Sequence, residues 1–231
     1  MRNILDDSPE SNVHGHARYV RAFVDEADLA DKDVLDVGCG FGWFELIALE
    51  AGARSVTGVE PTDADLATAR RHITDERATF AVAGADWLPF DDDSFDTIVM
   101  WEVLEHIPKH SEPVAFRELA RVLRPGGRFY LSTPHATTMT RATDPAWWVA
   151  GHRHYSRDAV SAYARGAGLE VEQLELKGGS WQIAHMLNMY VAKWIFRRRP
   201  FLEARSLELL DLDWARPSGF AHVFLRARKD T

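Results

Sequence analysis

Apolar and polar positions along this chain follow two alternating patterns between residue 15 and about residue 177. Short apolar runs predict strands, and segments with apolar residues three or four positions apart predict helices. Strands that alternate with helices form a parallel sheet with helices on both faces. The predicted strands are 33–37, 55–60, 78–83, 97–101, 128–132, 169–176 and 221–227, and the predicted helices are 16–27, 43–51, 63–72, 113–122 and 157–167.

A longer connection, residues 178–219, separates the last two predicted strands. It contains an apolar stripe that predicts an amphipathic helix, which three arginines and Pro200 would end; the stripe consists of Ile183, Met186, Leu187, Tyr190, Val191 and Trp194. We interpret residues 1–231 as one α/β domain with a Rossmann-like, doubly wound, seven-stranded sheet and residues 178–219 as a helical insertion. That helix either covers the core or serves as a substrate lid, a dimer face or a patch for lipid head groups.

Composition fits a globular domain, which we expect in the cytoplasm as a monomer or homodimer. The 231 residues are 46% hydrophobic and 27% charged, which are ordinary globular values. The single cysteine, Cys39, excludes a disulfide framework. Residues 1–7 lack the apolar core of a signal peptide, and no run of eighteen apolar residues suggests a transmembrane span.

Net charge disfavours nucleic acid as a partner. The formal charge of −8 excludes a general DNA-binding function and argues against RNA. The charge is unevenly distributed, because residues 177–231 hold 10 Lys and Arg against 5 Asp and Glu, a net of +5. This asymmetry indicates an anionic ligand or partner near the C-terminal part, or simply a solvated basic face.

Residues 34–42 combine a buried strand with a glycine-rich turn. The glycines at 38, 40 and 42 leave room where a Cβ would collide with a ligand. The next predicted strand ends in Glu60, whose carboxylate can accept hydrogen bonds from both hydroxyls of a ribose. A glycine turn after one strand and an acid after the next indicate the nucleotide-binding half of a doubly wound sheet.

These glycines do not complete the dinucleotide fingerprint G-x-G-x-x-G, because residue 43 is tryptophan. A nicotinamide-dependent dehydrogenase is therefore disfavoured. The turn instead resembles motif I of the class I S-adenosylmethionine-dependent methyltransferases. The resemblance implies S-adenosylmethionine as the cofactor and a seventh strand that runs antiparallel between the fifth and sixth. The residues expected around the cofactor are Asp36, Gly38, Cys39, Gly40, Gly42, Glu60, Pro61, Asp86, Trp87 and Glu102.

Two later segments extend the resemblance to about residue 133. Residues 84–90 are similar to the family's adenine segment, in which Asp86 would accept a hydrogen bond from the adenine amino group and Trp87 would offer a face to the ring. The alternative is a loop in which Asp86 caps a turn and Leu88 and Phe90 fill the core. Residues 123–127, L-R-P-G-G, resemble the family's architectural turn before strand five. In this family a segment such as 14–19 covers the cofactor; it contains His14, His16, Arg18 and Tyr19.

Candidate catalytic residues follow the fourth predicted strand, at the carboxyl edge where open sheets bind ligands. In a helical turn, Glu102, Glu105 and His106 would share one face. His106 suits a general base, and the three together could hold a divalent metal such as magnesium. The E-x-x-E-H pattern resembles the metal site of ubiquinone-pathway O-methyltransferases and of small-RNA terminal 2′-O-methyltransferases. Many family members nevertheless carry the E-H pair without a metal.

Aromatic and imidazole side chains near the expected mouth of the site are candidates for acceptor binding: His135, Trp147, His152, His154 and Trp181. We interpret the chain as an S-adenosylmethionine-dependent methyltransferase that methylates an oxygen of a small-molecule acceptor of a sugar, lipid-linked, aromatic or polyketide type. The alternatives are a metal-assisted 2′-O-methyltransferase acting on an RNA end and a non-catalytic S-adenosylmethionine-binding scaffold.

Overall fold

A computed structural model describes residues 14–231 except the side chains of Val149 and Ala150, so the expectation for residues 1–7 lies outside it. Seven strands lie within the described residues: β1 Asp33–Val37, β2 Ser55–Glu60, β3 Ala78–Val82, β4 Phe95–Trp101, β5 Leu123–Pro134, β6 Leu169–Lys177 and β7 His222–Lys229. The same residues form nine α-helices: α1 Gly15–Phe23, α2 Trp43–Glu50, α3 Asp63–His72, α4 Glu112–Val122, α5 Thr138–Thr143, α6 Pro145–Ala150, α7 Arg157–Gly166, α8 Ser180–Tyr190 and α9 Glu203–Trp214.

The strands form one sheet in the order β3-β2-β1-β4-β5-β7-β6. Strands β1 to β5 are parallel, and β7 runs antiparallel to both β5 and β6. This arrangement confirms the predicted Rossmann-like fold, including the antiparallel last strand and the helical insertion before it. The strand order reverses direction between β1 and β4, and ligands of such sheets bind at the carboxyl ends of the strands at this point.

The sheet separates two hydrophobic cores because successive side chains of a strand point to opposite faces. In β4, Ile98 and Met100 lie in the core beneath α4 and α7, whereas Val99 and Trp101 lie in the core that includes α1 and α2. The second core also includes Trp214 of α9. Each fully buried side chain of this kind contributes about 1.5–3 kcal/mol relative to an exposed one.

Strand β5 corrects the prediction of a turn at residues 123–127. Leu123 already pairs with Phe95 of β4, and the register shifts before Arg128 pairs with Thr97. The irregular stretch needs glycine, because Gly126 has φ +78°. The L-R-P-G-G segment is thus an irregular beginning of β5, and both β4 and β5 start earlier than predicted.

The connections contain helices that the sequence pattern did not predict. Helices α5 and α6 have six residues each, too few for a clear helical period, and they are recognisable mainly by the caps from Thr137 and Asp144. In the insertion, the predicted amphipathic helix is α8 followed by a π-helical turn, Val191–Ile195, and α9 is a second helix. Helix α1 ends at Phe23, earlier than the predicted residue 27.

Within residues 14–231, no helix has both the length and the apolar character needed to cross a membrane.

Candidate active site

The predicted cofactor residues lie together at the carboxyl edge of the sheet. The glycine turn follows β1, Glu60 is the last residue of β2, and Glu102 follows β4 directly. Asp86 and Trp87 lie shortly after β3 in a tight turn, in which the backbone N–H of Trp87 donates to the carbonyl of Gly84 over 3.0 Å. The Trp87 side chain is 62% exposed, so a flat ligand could stack on it.

The turn after β1 joins the end of β2 through Gly40. Its backbone N–H donates to Glu60 Oε1 over 2.6 Å. Gly40 has φ +57°, and a Cβ built on it would find no described atom within 4 Å. A carboxylate therefore lies beside a glycine that faces open space, which fits a nucleoside at this point.

The other two glycines of the turn face protein atoms. At Gly38, a Cβ would come within 2.2 Å of Val103 Cγ2. At Gly42, it would come within 2.8 Å of Ile73 Cγ1 at the end of α3. The expectation that Gly38 and Gly42 leave room for a ligand is therefore corrected, because Val103 fills the space at Gly38 and Ile73 fills it at Gly42.

A cluster of buried acids supports the turn from beneath. Asp36 is buried with Oδ1 lacking a hydrogen-bond partner among the described residues, and burial together with the charge of Glu45 raises its pKa well above the ordinary range. Burial raises the pKa of Glu45 to about 8. Cys39 is also buried, and burial raises the pKa of its thiol. The side chains of Asp36 and Cys39 are therefore buried beneath the turn.

Glu102 is held in a polar network at the ends of β4, β5 and β7. Ser132 Oγ donates to Glu102 Oε1 over 2.7 Å, and His222 Nδ1 lies 3.0 Å from Oε2. Burial opposes ionisation of Glu102, but the charges of His222 and of His16, with their hydrogen bonds, outweigh it and hold its pKa well below the ordinary value. The Nε2 atom of His16, a residue of α1, also lies 2.8 Å from Ser132 Oγ.

The backbone conformation separates Glu102 from Glu105 and His106, the other two residues of the metal site proposed from the sequence. Glu102 has φ +55°, outside the helical region, so it does not share a helical face with Glu105 and His106. The side chains that come together instead are Glu105, His106 and His152, whose potential ligand atoms lie within 4.8 Å of one another. Burial, followed by the charge of Glu102, raises the pKa of Glu105 well above the ordinary range.

Asp144 fixes the orientation of two histidines that the sequence singled out. Its Oδ2 lies 2.7 Å from His152 Nδ1 and 2.9 Å from His154 Nε2, so both imidazoles donate to one carboxylate oxygen. Burial works against ionisation of Asp144, but these hydrogen bonds prevail and lower its pKa. His152 Nε2 lies 3.7 Å from Glu105 Oε1.

A cavity of about 220 Å³ opens between this edge of the sheet and α8. Its polar wall includes Glu102, His152, His154 and His222, and its apolar wall includes Met186 and Tyr190 of α8. Of the five predicted acceptor residues, His152 and His154 line this cavity.

The other three predicted acceptor residues lie outside the lining. His135 Nδ1 donates to the Phe220 carbonyl over 3.0 Å, and Trp147 packs against the His154 ring, 5.4 Å away between centroids. Trp181 is exposed.

Three functional candidates were missed from the sequence: Ser132, Asp144 and His222. Asp144 precedes Pro145 and caps α6, which is a recognisable helix-start signal. Ser132 and His222 carry no such signal, because only the pairing of β5 with β7 brings them to the same edge.

Comparison of the sequence with known proteins finds methyltransferases. The model of the methyltransferase domain family matches residues 13–174. The ubiquinone biosynthesis O-methyltransferase of Pseudomonas paraeruginosa is 39% identical over 118 residues, covering 48% of each chain. Methyltransferase GfsG of Streptomyces halstedii is 40% identical over 111 residues, 45% of this chain and 38% of that protein. The matches thus span about half the length of these relatives or less.

Solved structures share the fold over nearly the whole chain. An S-adenosylmethionine-dependent methyltransferase from Mesorhizobium loti superposes with a TM-score of 0.65 and 24% identity, covering 92% of this chain and 96% of that one. Geranyl diphosphate methyltransferase, solved in complex with S-adenosylmethionine, gives a TM-score of 0.63 at 19% identity and covers 92% of this chain and 84% of that one. At these identities, the similarity concerns the fold.

Proposed function

Because this chain belongs to the methyltransferase domain family, we propose that it transfers the methyl group of S-adenosylmethionine to an oxygen of a small-molecule acceptor. The observation that carries the proposal is the contact between Gly40 and Glu60 beside open space, at the point where the strand order reverses. The names of the relatives that match in sequence, an O-methyltransferase among them, support the choice of oxygen.

The chain's own residues suit the nucleoside part of the donor. Glu60 would accept hydrogen bonds from the ribose hydroxyls, Asp86 would accept one from the adenine amino group, and the exposed Trp87 ring would stack on the base. The bound donor supplies an electrophilic methyl group on a sulfonium. The protein then needs mainly to align the acceptor oxygen with that methyl group.

The acceptor would enter the cavity beneath α8. A volume of about 220 Å³ suits a small ring or a short chain, and Met186 and Tyr190 offer it an apolar wall. His106 is the proposed base; it is exposed and lies beside His152, which lines the cavity, with 4.7 Å between the ring centroids. Desolvation and the neighbouring His152 lower the pKa of His106, so its imidazole is neutral and can accept the hydroxyl proton.

A metal-assisted version of the same reaction is the second candidate, favoured by the approach of Glu105, His106 and His152. Two imidazoles and one carboxylate suit zinc or another transition metal better than the magnesium expected from the sequence. Asp144 would orient His152 through Nδ1, as carboxylates commonly do behind metal-bound histidines. An ion held there would acidify an acceptor hydroxyl bound to it.

Substitution of Glu60 tests the proposal most directly. We expect calorimetry to show binding of S-adenosylmethionine but not of NAD, and Glu60→Gln to weaken that binding by about 10- to 100-fold through loss of a charged hydrogen bond. Glu50→Gln, the same change on the exposed side of α2, is the control and should leave the affinity unchanged. Equal affinity of the Glu60→Gln and native proteins would contradict the assigned ribose site.

Turnover separates the remaining alternatives. Formation of S-adenosylhomocysteine should be measured with phenolic and sugar-hydroxyl acceptors, with and without EDTA. Activity that survives EDTA but is lost in His106→Ala supports the base, and loss with EDTA followed by recovery with zinc supports the metal. Cofactor binding without turnover on any acceptor would favour the non-catalytic scaffold.

A further inference from the structure

The chain just beyond α8, at the end of the π-helical turn, exposes an unusual combination of side chains. Trp194, Ile195 and Phe196 are consecutive and are 52%, 69% and 57% exposed. Arg197, Arg198 and Arg199 follow at once, and all three are exposed. We call residues 194–199 the tip. Three large apolar side chains in a row are rarely left in water without a partner, because their exposure forfeits the free energy of burial.

The tip is held in place by the protein around it. The side chain of Asn188 in α8 bonds to both backbone groups of Phe201, donating to its carbonyl over 2.8 Å and accepting from its N–H over 3.0 Å. The Phe196 ring packs edge-on against Phe201, 5.3 Å away between centroids, and the Arg198 guanidinium lies 4.7 Å above the Phe201 ring. The apolar residues and the arginines are therefore presented together on one projection.

Charge indicates the kind of surface that the tip fits. From residue 177 to residue 202 the sequence has five Lys and Arg and no Asp or Glu, although the whole chain has a net charge of −8. Apolar and aromatic side chains beside a cluster of arginines are what a peripheral protein needs at a membrane interface, since the rings enter the head-group region while the cations meet anionic lipids. We propose that the tip docks the protein on an anionic lipid bilayer.

The position of the tip fits this role. Helix α8 lines the 220 Å³ cavity with Ile183, Met186 and Tyr190 before it reaches the tip. A bilayer in contact with the tip would therefore lie at the end of the helix that forms the cavity wall. Docking does not depend on the proposed function and can be measured without cofactor or acceptor.

Co-sedimentation with vesicles tests the proposal. We expect the full chain to bind vesicles of phosphatidylglycerol and phosphatidylcholine in equal parts, and not vesicles of phosphatidylcholine alone. Replacement of Arg197, Arg198 and Arg199 by glutamine should lower the partition coefficient by about 100-fold, as each basic residue near such a surface contributes about fivefold. Ile195→Ala with Phe196→Ala should weaken binding at high salt as well, since the apolar contribution is not screened.

The matched control changes three exposed arginines elsewhere, Arg21, Arg71 and Arg165, to glutamine. It alters net charge equally and should leave vesicle binding nearly unchanged. Circular dichroism and calorimetry with S-adenosylmethionine show whether each variant is folded. The proposal is overturned if the native chain does not bind the anionic vesicles, or binds both vesicle types equally. Equal losses in the two arginine variants, or a tip variant that changes only the oligomeric state, would also overturn it.

Discussion

Glycines with a similar backbone conformation have different roles in this protein. Gly40 and Gly52 have φ +57° and +85°, and neither has a described atom within 4 Å of the position a Cβ would take. Gly52 follows α2 at the amino edge of the sheet, where its carbonyl accepts from the N–H of Asp31. Gly40 instead contacts Glu60 at the centre of the candidate cofactor site, at the carboxyl edge. Both positions favour glycine because of their positive φ. At Gly40 alone, the open space beside the glycine also belongs to the candidate cofactor site.

Alanine at these two glycines should have similar effects on stability and different effects on binding. Gly40→Ala and Gly52→Ala should each lower the free energy of unfolding by about 1 kcal/mol, because alanine disfavours a left-handed backbone. Gly40→Ala alone should weaken S-adenosylmethionine binding, by about tenfold or more, since its methyl group would occupy the ligand's space. Urea unfolding and calorimetry measure both effects; unchanged affinity in Gly40→Ala would place the nucleoside elsewhere.

Glu45 gives the protein a pH-dependent stability. Burial raises its pKa from 4.5 to about 8, so the native state holds a proton that the unfolded chain releases. This stabilisation is complete below pH 4.5 and is lost as pH rises towards 8. The native protein should therefore lose up to about 1.4 kcal/mol per pH unit relative to Glu45→Gln across that window.

Urea unfolding at several pH values measures that difference. Glu50→Gln, measured at the same pH values, is the control, because Glu50 lies on the same helix with an exposed side chain. A constant difference between native protein and Glu45→Gln from pH 5 to 8 would mean that Glu45 is ionised in the folded state.

Residues of the site differed in how well the sequence predicted them. Gly38, Gly40 and Glu60 lie within one strand-helix-strand unit, so their spacing along the chain already implied their proximity in space. His222 is 120 positions from Glu102, and their contact depends on β7 joining the sheet beside β5. No local pattern carries that information, which is why this half of the site was missed.

At the level of elements, the strands and helices of the first half were the most predictable. The bounds of β1, β2 and α3 match the prediction residue for residue. Four of the five residues of β1 are buried, β2 buries Val56, Gly58 and Val59, and α3 follows a cap from Thr62. For the segment after Trp101, the sequence left open a helical turn that would place Glu102, Glu105 and His106 on one face. In the structure Glu102 has φ +55°, which is not helical, and its carboxylate contacts Ser132 and His222.

Across the whole molecule, the two edges of the parallel strands carry different chemistry. The carboxyl edge carries the candidate site, and the amino edge carries an ionic network. Asp33 and Asp96 there share Arg54 and Arg124, at N–O distances of 2.6 to 3.0 Å, which connects the starts of four strands. The pKa of Asp33 is lowered mainly by the hydrogen bond from Arg54. Burial raises this pKa, but its effect is smaller.

Asp33→Asn should therefore reduce stability without affecting the site. We expect a loss of about 1–2 kcal/mol at pH 7, since one charged partner of the network is removed. Because the folded pKa of Asp33 is depressed, its contribution is present above about pH 3.8 and disappears as pH falls further. The affinity for S-adenosylmethionine should not change, because roughly 16 Å of strand separates the two edges. Weaker cofactor binding in a folded Asp33→Asn protein would contradict this separation.

Strand β7 is the last strand to be translated, yet it lies between β5 and β6, so the sheet cannot form fully before β7 has been made. During synthesis β6 emerges before β7, yet its hydrogen-bonded neighbour in the sheet is β7, which also pairs with β5. Until residues 222–229 leave the ribosome, one edge of β5 is open, β6 has no partner strand in this sheet, and Glu102 lacks the His222 contact. The nascent chain therefore exposes unpaired strand edges, which can pair with other chains, while the insertion is translated.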